Sequence, residues 1–238
     1  SLIMESTHIV TKFDSELNKI EQMLSDMSKQ VGEQILSAGK ALLENDESLA
    51  KSVAKGDAKI NKLENKIDDR AIRLIALRQP MAEDLRSAIT TLKVSASLER
   101  MGDYAKTLSY RVRIVDDFSA MKSALRRLVE TSEKVSIMLE MVMEAYVGRD
   151  LAKAQAASAL DDEINDRTDA LFRELLTYMM ENPRNIEPCT HLLFISKNME
   201  RSGDQVKNIA EQVHYLVTGE LLEEWGLVVR KFLLSKMK

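Results

Sequence analysis

Glu99-Arg100-Met101-Gly102-Asp103 returns as Glu200-Arg201-Ser202-Gly203-Asp204, so one E-R-x-G-D device occurs twice, 101 positions apart. In a helix, residues i and i+4 share a face, so each copy presents two carboxylates one turn apart with a bare glycine between them. Oxygen pairs of this kind bind hard cations. A lone E-x-x-x-D would mean little among 38 acidic residues, but a second full match in a chain with only eight glycines is an internal repeat. Glycine costs about 1 kcal/mol in a helix interior relative to alanine, so its repetition points to the close approach of a helix or a ligand.

A second device keeps the same order. Asp57-Ala58-Lys59-Ile60-Asn61 matches Asp161-Asp162-Glu163-Ile164-Asn165 as D-x-x-I-N, 104 positions apart. Asp57 and Asp161 are placed to open a helix, and Asn61 and Asn165 fall one turn later, where an amide carbonyl can add an oxygen. Glu64, Asp68, Asp162 and Asp166 stand close in sequence as reserves. The candidate metal ligands are therefore Glu99, Asp103, Glu200 and Asp204, joined by Asp57, Asn61, Asp161 and Asn165. The competing reading is structural: Glu99 and Glu200 pair with Arg100, Arg201 or lysines in solvated salt bridges of little energy.

These side chains need helices to carry them, and the composition supplies helices. Hydrophobic residues make up 45% and charged residues 30% of the 238, with aromatics at 5% and only eleven glycines and prolines together. Phe13, Leu17, Ile20, Leu24, Met27, Val31 and Ile35 step by four and three, the seam of a long helix from about residue 7 into the 40s. Asn45 to Ser48 interrupts it, a second helix is expected from about 57 to 78, and Gln79-Pro80 closes that one. A third runs from Met81 to Val115 and carries Glu99 and Asp103.

The order then repeats. Met121, Leu125, Leu128, Ser132, Val135, Leu139 and Val142 form another seam; Gly148-Arg149-Asp150 interrupts it; Asp161 opens a helix that Asn182-Pro183 closes; and Asn185 to about Thr218 completes the set. The expected fold is all-α, two tandem antiparallel three-helix bundles over 7–115 and 117–219, with an amphipathic tail over 220–238. That tail, with Trp225, Phe232 and Lys231, reads as packing on its own bundle or on a second copy rather than on a membrane.

Several function classes drop out. A net charge of −4 disfavours nucleic acid. The single Cys189 makes no internal disulfide and suggests a reducing compartment, with the cytoplasm as the expected location. No run reaches the ~20 apolar residues that span a bilayer. A di-iron bundle needs Glu-x-x-His, yet Gly102 and Gly203 stand three after the glutamates, and the only histidines are His8, His191 and His214. His191 reads as a bundle residue. Phosphate-cradling loops, nucleophile elbows and zincin motifs are absent, so catalysis is not expected. Met23, Met27, Met138 and Met199 sit at helical spacing as core filler.

The paired E-R-x-G-D and D-x-x-I-N devices, with Gln79-Pro80-Met81-Ala82-Glu83-Asp84-Leu85-Arg86 and Asn208-Ile209-Ala210-Glu211, resemble the PhoU family over residues 7 to about 219. The resemblance implies two similar three-helix bundles and a cytoplasmic regulator that represses the phosphate-starvation response. Its implied partners are a phosphate-specific ABC transporter and a sensor histidine kinase, reached at the membrane through those partners, and a homodimer is expected. It also implies that the E-x-x-x-D pairs occupy the family's metal motifs, where iron, zinc, magnesium or manganese is associated with some members. Asn61 and Asn165 depart from that pattern by replacing an acid, which weakens the implied metal affinity. Asn182-Pro183-Arg184-Asn185 departs again from the Gln79 to Arg86 run. The alternative function is a metal-dependent hydrolase or metal-storage bundle using the same carboxylates.

Overall fold

The computed structural model describes residues 2–115 and 117–220, so the expected tail beyond Glu220 lies outside the described residues. Among the described residues seven α-helices follow in order: α1 Leu2–Glu44, α2 Glu47–Arg78, α3 Glu83–Ile114, α4 Lys122–Gly148, α5 Leu151–Ala159, α6 Asp161–Glu181 and α7 Ile186–Thr218. Short 3-10 turns at Ser119–Met121 and Pro183–Asn185 lead into α4 and α7. No strand occurs among the described residues.

Both apolar seams are buried along their whole length, from Phe13 to Ile35 on α1 and from Met121, at the end of the turn before α4, to Val142 on α4. Burying a leucine, isoleucine or methionine side chain contributes about 1.5–3 kcal/mol, so these seams drive the packing. α1, α2 and α3 pack on one another as one bundle, and α4 packs with α5, α6 and α7 as the second. The two bundles meet along α1 with α4 and α3 with α7.

The helix breaks repeat at matching places. Asn45 turns left-handed at φ 50° and Asp46 caps α2, its carboxylate accepting from the Leu49 N–H; 104 residues on, Arg149 turns at φ 52° and Asp150 caps α5 through the Lys153 N–H. The second helix of the first half thus starts at Glu47, ten residues before the expected start at Asp57. Gly56 is no terminator. It sits inside α2 where the Gln34 side chain crosses from α1, its Nε2 donating to the Val53 carbonyl at 2.6 Å, and a Cβ at Gly56 would collide with that amide. In the second half the same stretch is split at Leu160, so Asp161 does begin a helix, α6, as expected. Asp57, its counterpart, caps nothing and is buried mid-helix.

Candidate functional site

The two repeated devices face each other across a helix pair in each bundle. On α2, Asp57 and Ile60 lie over Gly102 of α3: a Cβ on that glycine would stand 3.5 Å from two Ile60 methyls and 3.6 Å from Asp57 Oδ1. On α6, Asp161 and Ile164 lie over Gly203 of α7 in the same way, with the Asp161 carboxyl still closer. Gly203 therefore leaves out a side chain that would collide with the Asp161 carboxyl, whereas a Cβ at Gly102 would meet ordinary contact, and in both bundles the aspartate and isoleucine of D-x-x-I-N cover the glycine. Asp57 is 1% exposed and Asp161 2%.

Burying a carboxylate is costly unless hydrogen bonds and an opposite charge accompany it. Each aspartate has a lysine. Lys106 Nζ stands 3.5 Å from Asp57 Oδ2, and Lys207 Nζ stands 3.9 Å from Asp161 Oδ2. Asn61 Nδ2 also donates to Asp57 Oδ2 at 3.3 Å, so its amide serves the neighbouring carboxylate as a donor. The other oxygen, Oδ1, has no hydrogen-bond partner on either aspartate. Burial pushes the Asp57 carboxyl above the usual range, the charge of Asp103 adds to this, and Lys106 offsets it. Asp161 is raised by burial and then Asp204, with Lys207 opposing.

The rims of the two sites differ. In the first bundle Glu99 is half-buried, and its carboxyl is pushed up to about 8 by burial, by a hydrogen bond and charge from Asp103, and by the charges of Glu64 and Asp57. Glu64 is itself raised by burial and by Asp68 and Asp103. In the second bundle Glu200 holds Lys197 at 3.5 Å. Positions 64 and 68 of α2 correspond to Thr168 and Phe172 of α6 at the 104-residue offset, and Ala96 to Lys197 at the 101-residue offset of the third helices. The facing stripe of α2 thus carries Asp57, Asn61, Glu64 and Asp68, and that of α6 Asp161, Asn165, Thr168 and Phe172.

The structure brings Asp57, Asn61, Glu99 and Asp103 together on α2 and α3, and Asp161, Asn165, Glu200 and Asp204 on α6 and α7. By donor type these sets suit a hard cation, and the orphaned Oδ1 atoms are free acceptors. Among the described residues, no three acids, histidines or cysteines gather closely enough to hold a metal ion, and an ammonium group already stands on each buried aspartate. His191 takes part in neither set: its Nδ1 accepts from Arg111 Nη1 at 2.8 Å across the α3–α7 contact.

A model of the PhoU domain matches residues 24–112 and again residues 128–213, each match running from the first to the last helix of one bundle. The chain belongs to the PhoU family. PhoU-family relatives described as phosphate-specific transport system accessory protein PhoU homologues are similar over nearly their full length. One from Caulobacter vibrioides is 41% identical over 90% of this chain and 94% of its own, and one from Rhizobium meliloti is 40% identical over 91% of each. The crystal structure of PhoU from Pseudomonas aeruginosa superposes with a TM-score of 0.81 at 33% identity, over 87% of this chain and 100% of that one. The phosphate transport system regulatory protein PhoU from Streptococcus pneumoniae gives 0.82 at 29% identity, over 89% and 99%.

Two residues that the structure places at these acidic clusters, Lys106 and Lys207, are missed by the sequence reading. The signal is present, because each lysine stands three residues after the aspartate of its motif, making the repeat E-R-x-G-D-x-x-K.

Proposed function

We propose that this chain is a negative regulator of the phosphate-starvation response. It acts in the cytoplasm as an adaptor between the ATPase of a phosphate-specific ABC transporter and a sensor histidine kinase, as a homodimer and without turnover of its own. The observation that carries this reading is the match of both bundles to phosphate-transport accessory proteins at about 40% identity over nine-tenths of each chain.

The surface supports a protein-binding role. Phe172, Leu176 and Met180 are exposed at i, i+4 and i+8 on α6 and form an apolar stripe along it. Such stripes suit helix-against-helix recognition. The hydrolase or metal-storage reading has less support, because the buried aspartates it would use face lysines.

The test is co-purification of the tagged full chain from phosphate-replete cells. The expected result is recovery of a transporter ATPase or a histidine kinase, reduced at least about tenfold by Phe172→Asp with Met180→Asp, since losing a buried aromatic anchor costs about 2 kcal/mol or more. Recovery of neither protein would contradict the proposal.

A further inference from the structure

Among the described residues, an ammonium group stands on each of the two buried aspartates, Lys106 Nζ 3.5 Å from Asp57 Oδ2 and Lys207 Nζ 3.9 Å from Asp161 Oδ2. Both lysines come from the neighbouring helix, both sit three residues beyond the motif aspartate, and both approach Oδ2 while Oδ1 rests against the bare glycine flank. A geometry reproduced in two bundles of divergent sequence is a built feature. Helix packing buries each aspartate beside a glycine, and the buried aspartate requires a cation within a few ångströms.

We infer that Lys106 and Lys207 are the resident cations of the two acidic motifs, holding the position a metal ion would take, so that divalent metal binds there only by displacing them. A divalent ion on Asp57 or Asp161 sits about 2.0–2.6 Å from its oxygen ligands, at a distance from the ammonium where two positive charges repel strongly in a part-buried setting. Asn61 and Asn165 act in the same direction, because an amide brings no negative charge and Asn61 donates to the carboxylate that Lys106 holds, which leaves fewer anionic ligands for an ion to exploit. In the second bundle Lys197 on Glu200 supplies a further built-in charge. The fold is on this basis independent of metal.

Thermal melting of the full chain tests this in three conditions: in EDTA, in millimolar Mg2+ and in millimolar Mn2+. The wild type is expected to melt within about 1 °C of the same temperature in all three. Lys106→Met with Lys207→Met is expected to melt at least about 4 °C lower in EDTA, the shift that roughly 1–2 kcal/mol produces in a chain of this size, and to regain most of the loss in Mn2+. Should that variant fail to fold, single Lys106→Met and the compensated pair Asp57→Asn with Lys106→Met replace it. The pair is expected to recover at least half of the single variant's loss. A wild type stabilised by several degrees in metal, a lysine variant with unchanged melting, one that no divalent ion restores, or a compensated pair no better than Lys106→Met would each overturn the inference.

Discussion

The carboxyl of Asp161 on α6 lies against the bare flank of Gly203 on α7, nearer than a Cβ on that residue could tolerate, whereas Asp57 keeps 3.6 Å from the same point on Gly102. The two pseudo-equivalent glycines therefore answer differently to one methyl group. Gly203→Ala must push aside a carboxyl that is 2% exposed and held near Lys207, and is expected to destabilise by about 1–3 kcal/mol, as overpacking does. Gly102→Ala meets ordinary contact distances and gains up to about 1 kcal/mol of helix propensity. Denaturant unfolding of the two variants is the check; equal losses would show that the glycines are not distinguished by the aspartate beneath them.

Glu99 makes stability depend on pH. Its carboxyl is pushed from 4.5 up to about 8 in the fold, so across that window the folded chain holds a proton that the unfolded chain has released. Stability therefore falls as pH rises through the window and levels off above it. Asp57, Glu64 and Asp161 shift in the same direction and add to the slope at its acid end. Glu99→Gln removes the largest contribution near neutrality. Its melting temperature is expected to vary less between pH 6 and 8.5 than that of the wild type and to exceed it at pH 8.5, in scans at about 0.1 M salt. Parallel curves would remove Glu99 from the explanation.

Arg111 ties the bundles together. From α3 it donates to His191 Nδ1 at 2.8 Å and lies 4.5 Å from the centre of the Phe194 ring, both on α7. Burial, and then the Arg111 charge, hold the His191 imidazole below its usual range, so the neutral acceptor form is favoured and this contribution weakens as pH falls below 6.5. Arg111→Ala is expected to cost about 1–2 kcal/mol at pH 7.5 and less at pH 5.5, measured by urea unfolding at the two values. A loss that is the same at both would indicate that the arginine acts through packing alone.

Much of this architecture is legible in the residues because one physical signal dominates it. The four-and-three spacing from Phe13 to Ile35 and from Met121 to Val142 has no competing explanation, and both seams are buried. The start of α2 is hidden because Gly56-Asp57 looks like a break followed by a cap. Local composition cannot reveal that Gln34, 22 residues earlier, needs the glycine's empty side. The D-x-x-I-N device reads as a ligand source, yet Ile60 and Ile164 belong to it because they cover the glycines of the neighbouring helix. Lys106 and Lys207 escape notice because a search for metal ligands passes over cations, although the repeat carries them. The Arg111 contact lies between the halves, where no spacing rule applies.

The regulatory role is tested most directly by phosphate-starvation gene expression in cells that lack this chain, grown in phosphate-rich medium, with a plasmid copy of the wild type as control. The expected result is strong expression despite abundant phosphate, returned to the repressed level by the plasmid copy. Unchanged repression in the deleted cells would contradict the role.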